Sequence, residues 1–174
     1  FEVLVDAFIL LKKNPAFSQV KLKATGGQTG DDKEFIHKQI NKLKQNNIDS
    51  DFEITHDFTL PSLQDFFKST TVLSVPVLNG EAFGLYQLEA LASGVPLVQP
   101  DLGAFPEISR ATGGGVIYKP NTAAALAEKL AEVLSNPAQL EAMSLAGRKA
   151  VEEKFDCGKL SLKMVDIYQT LINR

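Results

Sequence analysis

Cysteine is all but missing from this chain. The single Cys157 has no second thiol to pair with, so an intrachain disulfide framework is excluded and a reducing compartment, the cytoplasm, is the expected location. A surplus of positive charge is missing too: 18 Lys and Arg against 21 Asp and Glu leave a net charge of -3. Gripping many phosphates would need Lys and Arg in excess on one face, so no nucleic-acid partner is expected, while small anions can still be held at local sites. No apolar run approaches the roughly 20 residues that span a bilayer, and Phe1 to Leu11 carries no basic leader of the signal-peptide kind. Any membrane contact is therefore expected to be peripheral, at the inner face. A fixed-period repeat, a low-complexity tract and a linker rich in Pro, Gly or Ser are absent as well. Neither an initiator Met nor a capping residue precedes the helix-like run Phe1, Leu4, Val5, Phe8, Leu11, so the chain reads as a portion of a longer protein.

What is present suffices for one core. The 174 residues are 44% hydrophobic and 22% charged, the composition of an ordinary globular domain. After the first helix and the Asn14-Pro15 break, Val20 to Thr25 alternates apolar with polar and stops at Gly26-Gly27, which predicts a strand and a turn. A helix over Asp31 to Asn46 follows, with Phe35, Ile36, Ile40 and Leu43 inward and a Lys-rich face outward. Asp31-Asp32 is expected to cap it. Phe52 to Thr55 reads as a second strand, Pro61 to Phe67 as a short helix, and Thr71 to Val75 as a nearly all-apolar strand in the middle of a buried parallel sheet. A helix over Leu85 to Ser93, a strand over Pro96 to Gln99, a helix over Phe105 to Ser109 and a strand over Gly115 to Tyr118 continue the alternation. The expected architecture is α/β, a Rossmann-like doubly wound parallel sheet with ligands at the carboxyl ends of its strands. Three amphipathic helices, Thr122 to Leu134, Ala138 to Lys154 and Gly158 to Ile172, close the chain and would cover the sheet or a neighbouring domain.

The densest chemistry lies in the stretch from Val75 to Pro96, where an apolar run enters a glycine-containing loop and the loop opens a helix. The first turn of a helix presents unpaired N–H groups and the positive end of the dipole, which suits a phosphate or a sugar oxygen. Gly84 permits close approach there. Glu81 stands in the loop and Glu89 eight positions on, so both carboxylates could flank one ligand and grip vicinal hydroxyls. Alone, such glutamates would be a helix-terminus group and a solvated residue. Glu89 is followed by Ala90-Leu91-Ala92 and Gly94-Val95-Pro96, a segment that packs tightly, and a carboxylate placed there would need a partner.

Glu81-x7-Glu89 with Phe83-Gly84, Leu88-Glu89-Ala90 and Ser93-Gly94-Val95-Pro96 closely resembles the E-x7-E signature of the retaining GT-B glycosyltransferases, group 1 or family four. Asp101 to Ile108 resembles that family's glycine-pair loop and following glutamate, and Gly113 to Pro120 its next strand. Arg148 through Glu152 to Phe155, and later Tyr168, also follow the pattern, so the match extends over essentially the whole chain. The resemblance implies that residues 1–174 are the nucleotide-sugar-binding domain, the C-terminal half of a GT-B fold, truncated at its N-terminus and without the acceptor domain. It implies transfer of a sugar from a nucleoside-diphosphate sugar, such as a UDP- or GDP-sugar, to a glycan or lipid-linked acceptor with retention, in glycan or polysaccharide synthesis. Glu81 would face the transferred sugar as the catalytic carboxylate, Glu89 would hold the ribose, and the Phe83-Gly84-Leu85 backbone and Gly103 would meet the donor. His56-Asp57-Phe58 would lie beside the base, although a surface turn fits His56 equally well.

Three positions depart from the family pattern: Ala82 and Ala104 stand where glycine is usual, and Val77 where serine is frequent. An alanine takes positive φ less cheaply than glycine, so either these backbone angles are ordinary or the loops differ in shape. The family's phosphate-gripping Arg and Lys precede the first helix, outside this sequence. The fragment alone is therefore expected to be inactive, because cations that meet the departing diphosphate usually supply a large share of the acceleration. By the same comparison a strand central to the sheet lies outside it. No cofactor and no metal are expected, since such cations replace one and nothing resembles an Asp-x-Asp metal motif. An epimerase or phosphorylase of the same architecture fits the glutamate spacing less well, and no lysine stands out for pyridoxal phosphate. A non-catalytic α/β nucleotide-binding or scaffold module is the alternative from a different class. Phe66, Phe67 and Phe83 read as core or pocket wall, His37 as solvent-facing, and Cys157 as no nucleophile.

Overall fold

The computed structural model describes residues 1–30, 32–56 and 59–173. Helix α1, Glu2–Lys12, turns Val5, Ala7, Phe8 and Leu11 inward at helical spacing. At its end the Lys12 side chain is only 6% exposed and pairs with Asp51 at 2.7 Å, while donating to the carbonyls of Ser18 and, at 3.1 Å, Val20. That ammonium ties α1 to the chain entering the first strand. Strand β1, Leu22–Thr25, runs parallel to β2, Phe52–Thr55, in the register Leu22 to Phe52. Between them α2, Asp32–Gln45, makes the crossover. Asp31 lies outside the described residues. Asp32, at the start of α2, accepts from the Thr29 amide at 2.9 Å and its hydroxyl at 2.7 Å, bonds that hold its carboxyl below the usual range. The inward face of α2 differs from the expected one: Leu43 and Gln39 are buried while Phe35 is 41% exposed.

Helix α3 spans Leu60–Lys68 and buries Phe67, whose ring meets Phe66 edge-on at 5.5 Å. The apolar run from Thr71 to Val75 pairs less than its composition suggests. Leu73 alone bridges to Leu97, with its amide on the Pro96 carbonyl and its carbonyl taking the Val98 amide, both at 2.9 Å. Beyond it the Val75 amide turns to the Gln99 side chain at 2.9 Å, Pro76 has no N–H to give, and the Val77 amide closes a tight turn on the Val75 carbonyl. The run therefore bends away before a ladder can form.

Helix α4, Leu85–Ala92, leads to β3, Leu97–Pro100; α5, Phe105–Thr112, leads to β4, Gly115–Tyr118, which lies parallel to β3. Helix α5 outlasts the expected Ser109 because Gly113, at φ 64°, ends it in the left-handed conformation. Successive β3 side chains serve opposite faces. Leu97 joins Ala90, Leu91, Ile108 and Phe67 in one core, and Val98 joins Tyr118, Ala7, Leu11 and the next helix, α6 (Ala123–Leu134), in another. A strand covered on both sides is the doubly wound arrangement. Helix α7, Pro137–Lys154, packs against α4 and α5, where Gly147 and Gly114 let backbones meet under Leu91.

Two departures from the expected sheet stand out. Among the described residues the strands form two separate parallel pairs, β1 with β2 and β3 with β4. Between β1 and the Thr71 to Ser74 segment lies a cleft of about 430 Å³ lined by Leu22, Lys23, Thr71, Leu73 and Leu130, spanned by the Lys23 ammonium on the Ser69 hydroxyl at 3.1 Å. Helix α8, Cys157–Ile172, capped by Asp156, buries none of its side chains. Unlike α6, which lies on β3 and β4, it does not cover the sheet.

Candidate functional site: a clamped glutamate at a helix start

The parallel strands send three loops to one edge. The loop after Leu73, the loop from Asp101 to Ala104 after β3 and the residues after β4 are stitched together there. The Asn121 amide donates to the Val77 carbonyl at 2.9 Å and accepts from the Tyr118 hydroxyl at 2.9 Å. The Asp101 amide donates to the Tyr118 carbonyl at 2.9 Å, and Lys119 reaches Asp101 at 3.1 Å. Burial pushes the Tyr118 phenol above its ordinary range, so it stays a donor.

Glycine decides how closely the first two loops approach. Gly103 has φ 54°, and a Cβ there would stand 2.6 Å from the Glu81 nitrogen. Beside it the Ala104 amide donates to the Glu81 carbonyl at 2.8 Å. Gly103 thus enters the site by holding Glu81's backbone. The alanines that replace expected glycines need no strain: Asn47 is the one non-glycine with positive φ among the described residues, and Ala104 is helical at φ -78°.

The Glu81 side chain is held as well. One carboxylate oxygen accepts from the Ala82 amide at 3.0 Å and the other from the Tyr86 hydroxyl at 3.2 Å. Gly84, at φ 75°, is the N-cap of α4 and offers no capping side chain. Among the described residues the amides of Phe83, Gly84, Leu85 and Tyr86 donate to nothing, and with the helix dipole they form an electropositive step beside Glu81. Such a step can hold a phosphate or the oxygens of a sugar.

Glu89 corrects one expectation. The packed face of α4 is Gln87, Ala90 and Leu91, whereas Glu89 is exposed and its carboxylate, among the described residues, has no hydrogen bond or ion pair. It lies one turn below Leu85, itself 66% exposed, on the face that begins at the free amides. Phe83, at 41% exposure, is not part of the core. Glu81, Phe83, Gly84, Leu85 and Gly103 are therefore brought together, with Glu89 further along α4. His56 lines a different cleft of about 280 Å³ with Gly26, Gly27 and Asp32 at the ends of β1 and β2; Asp57 and Phe58 lie outside the described residues. Tyr86 and Gln87 escaped the sequence reading. The available signal was a glutamine on the helical stripe that Ala90 and Leu91 otherwise make apolar.

The sequence pattern of the family described as glycosyl transferases group 1 matches residues 1–150, and the chain belongs to that family. It is 33% identical over 104 residues to the phosphatidyl-myo-inositol mannosyltransferase of Mycobacterium leprae, a match covering 60% of this chain and 28% of the relative. To the D-inositol 3-phosphate glycosyltransferase of Streptomyces bingchenggensis it is 25% identical over 163 residues, 91% of this chain and 35% of the relative. The chain thus spans about a third of the length of these curated relatives. Its fold is shared with the C-terminal domain of the group 1 protein LpcC of Francisella tularensis, with TM-score 0.79 and 22% identity over 90% of this chain and 79% of that one. Anabaena HepE, solved with UDP, superposes with TM-score 0.84 and 14% identity over 97% of this chain and 44% of that one. The fold is thus the C-terminal half of a GT-B glycosyltransferase, as the glutamate motif implied.

Proposed function

We propose that these residues bind the donor in a glycosyltransferase that moves a sugar from a nucleoside-diphosphate sugar to an acceptor with retention. The observation that carries the reading is the clamped Glu81 beside the free amides of Phe83 to Tyr86. Each carboxylate oxygen can accept two hydrogen bonds, and Ala82 and Tyr86 take one apiece. A further lone pair on each oxygen is left for neighbouring hydroxyls of the transferred sugar. The amides and the α4 dipole would meet charge gathering on the diphosphate as the glycosidic bond breaks. Glu89, exposed and unpaired further along the same face, is assigned the ribose hydroxyls, and His56 with Asp57 and Phe58 the surroundings of the base. The nucleotide sugar is substrate, and no cofactor or metal is assigned.

The domain reading has its own support. The cleft between β1 and Thr71 to Ser74, the uncovered α8 and the greater length of the relatives all fit a donor domain completed by residues outside this sequence. In this reading a glycan or lipid-linked acceptor reaches Glu81 through a second domain, and the 174 residues alone do not turn over. The free, exposed Cys157 fits a reducing cytoplasm. No helix among the described residues is long and apolar enough to cross a membrane, and a lipid-linked acceptor would require only peripheral contact at its inner face.

The test is calorimetric titration of UDP, GDP and ADP, with their sugar conjugates, into the full-length protein and its Glu89→Ala variant. Saturable binding of one nucleotide, weakened roughly tenfold in the variant by loss of hydrogen bonds to a charged acceptor, is the expected result. No binding by the folded full-length protein would sink the proposal and leave a scaffold module.

A further inference from the structure

Glu81 is pinned at more points than helix formation requires. Its carbonyl takes the Ala104 amide at 2.8 Å, its backbone lies against Gly103, and its two carboxylate oxygens are held by different donors, Ala82 and Tyr86. The second of these contacts is a side chain's alone. Tyr86 stands in the first turn of α4, and Gly84 makes its approach to Glu81 feasible. A Cβ on Gly84 would lie 2.9 Å from Glu81 Cγ, 3.0 Å from Tyr86 Cζ and 3.0 Å from Gln87 Nε2. Three side chains therefore converge over the one residue that has none. Gln87, fully buried, completes the arrangement by donating to the Phe83 carbonyl at 2.7 Å, which fixes the backbone immediately before Gly84.

We propose that Tyr86 is a positioning residue for Glu81: its hydroxyl holds one carboxylate oxygen so that the carboxylate meets the transferred sugar already oriented. The proposal rests on the donor-site reading and adds to it the group that sets Glu81's geometry. A glutamate left to itself rotates about three side-chain torsions, and that freedom must be lost when it grips a hydroxyl. Loss before substrate arrives lowers the barrier to reaction. The direction of the hydrogen bond is secure, because burial, and after it the Glu81 charge, raises the Tyr86 phenol above its ordinary range and keeps it a donor. Gln87 acts on the same loop from the backbone side, so Tyr86 and Gln87 together hold what the motif itself leaves free.

The experiment compares wild type, Tyr86→Phe, Glu81→Ala and the double variant in the full-length protein. For whichever of UDP, GDP and ADP the wild type binds, it measures affinity for the bare diphosphate, affinity for the sugar conjugate, and kcat. Tyr86→Phe removes one oxygen from a half-buried ring, and an unchanged melting temperature shows that the fold is intact. The expected result is unaltered diphosphate affinity, weaker binding of the conjugate and a kcat lowered roughly tenfold, the scale of one hydrogen bond to a charged group. On the Glu81→Ala background the same change should no longer weaken the conjugate, because its target is gone. An unchanged kcat in Tyr86→Phe overturns the proposal. So does equal weakening of diphosphate and conjugate, or a loss that recurs in full without Glu81; Tyr86 then shapes α4 and not the carboxylate. A wild type that binds no nucleotide sugar removes the donor-site reading itself, and the proposal with it.

Discussion

At the scale of single residues the stability of this chain depends on a few polar groups that have been taken out of water with their partners. Lys12 is the clearest case, with an ammonium that lies between Asp51 and the Ser18 and Val20 carbonyls and 5.7 Å from the centre of the Phe8 ring. Replacing it with Met keeps the stem and strands those acceptors, so Lys12→Met should lower the unfolding free energy by about 2 kcal/mol in urea denaturation. Tyr86 and Tyr118 make a pH prediction. Both phenols are raised in the folded state, so the unfolded chain releases those protons first as pH climbs past the ordinary phenol value of about 10. Stability gained by keeping them protonated is complete below that pH and is lost above it. Alkaline melting curves should fall more steeply for wild type than for a Tyr86→Phe, Tyr118→Phe double variant. Gly103→Ala belongs here too: it must place a side chain at φ 54° and 2.6 Å from the Glu81 nitrogen. It should cost more than about 1 kcal/mol in thermal denaturation and weaken the sugar conjugate more than the bare diphosphate.

Among elements the close contacts are made by glycine. Helix α7 reaches α4 and the turn into β4 because Gly147 and Gly114 leave room under Leu91. A Cβ on Gly114 would come within 2.6 Å of the Gly147 Cα, backbone against backbone. On Gly147 it would meet Leu91 Cδ2 at 2.6 Å, a side-chain end that can swing, and the Gly114 Cα at 3.0 Å. The two alanine substitutions should therefore differ. Gly114→Ala should cost about 2 kcal/mol through forced separation of the elements, while Gly147→Ala recovers up to about 1 kcal/mol of helix propensity and should lose much less. Comparing the two by chemical denaturation tests whether backbone contact holds α7 in place.

At the scale of the molecule the structure is lopsided. Its β3 and β4 pair is covered on both faces, but a cleft separates that pair from β1 and β2, and α8 displays Leu160, Met164, Ile167, Tyr168 and Leu171 to solvent. Contiguous apolar surface of this kind promotes association. The 174 residues alone should bind a hydrophobic dye and sediment above monomer mass, and a Leu160→Lys, Leu171→Lys double variant should reduce both effects.

Helix α1, the β1–α2–β2 crossover and the alternation through β4 were legible in the sequence because local periodicity and Gly and Pro punctuation dictate them. So was the glutamate motif, since a helix that starts at a glycine must leave amides free wherever it lies. Only the tertiary structure decided which of those elements hydrogen-bond. Thr71 to Val75 is nearly all apolar, yet a ladder to β3 has to continue through alternate residues, and Val75, the next after Leu73, gives its amide to the Gln99 side chain before Pro76 and the turn at Val77. Glu89's exposure also followed from packing, because which face of α4 meets β3 and α7 is set by distant residues. The hold of Tyr86 and Gly103 on Glu81 was invisible for the same reason. Their proximity arises from a left-handed glycine and from two loops joined at one sheet edge, neither of which leaves a period in the chain.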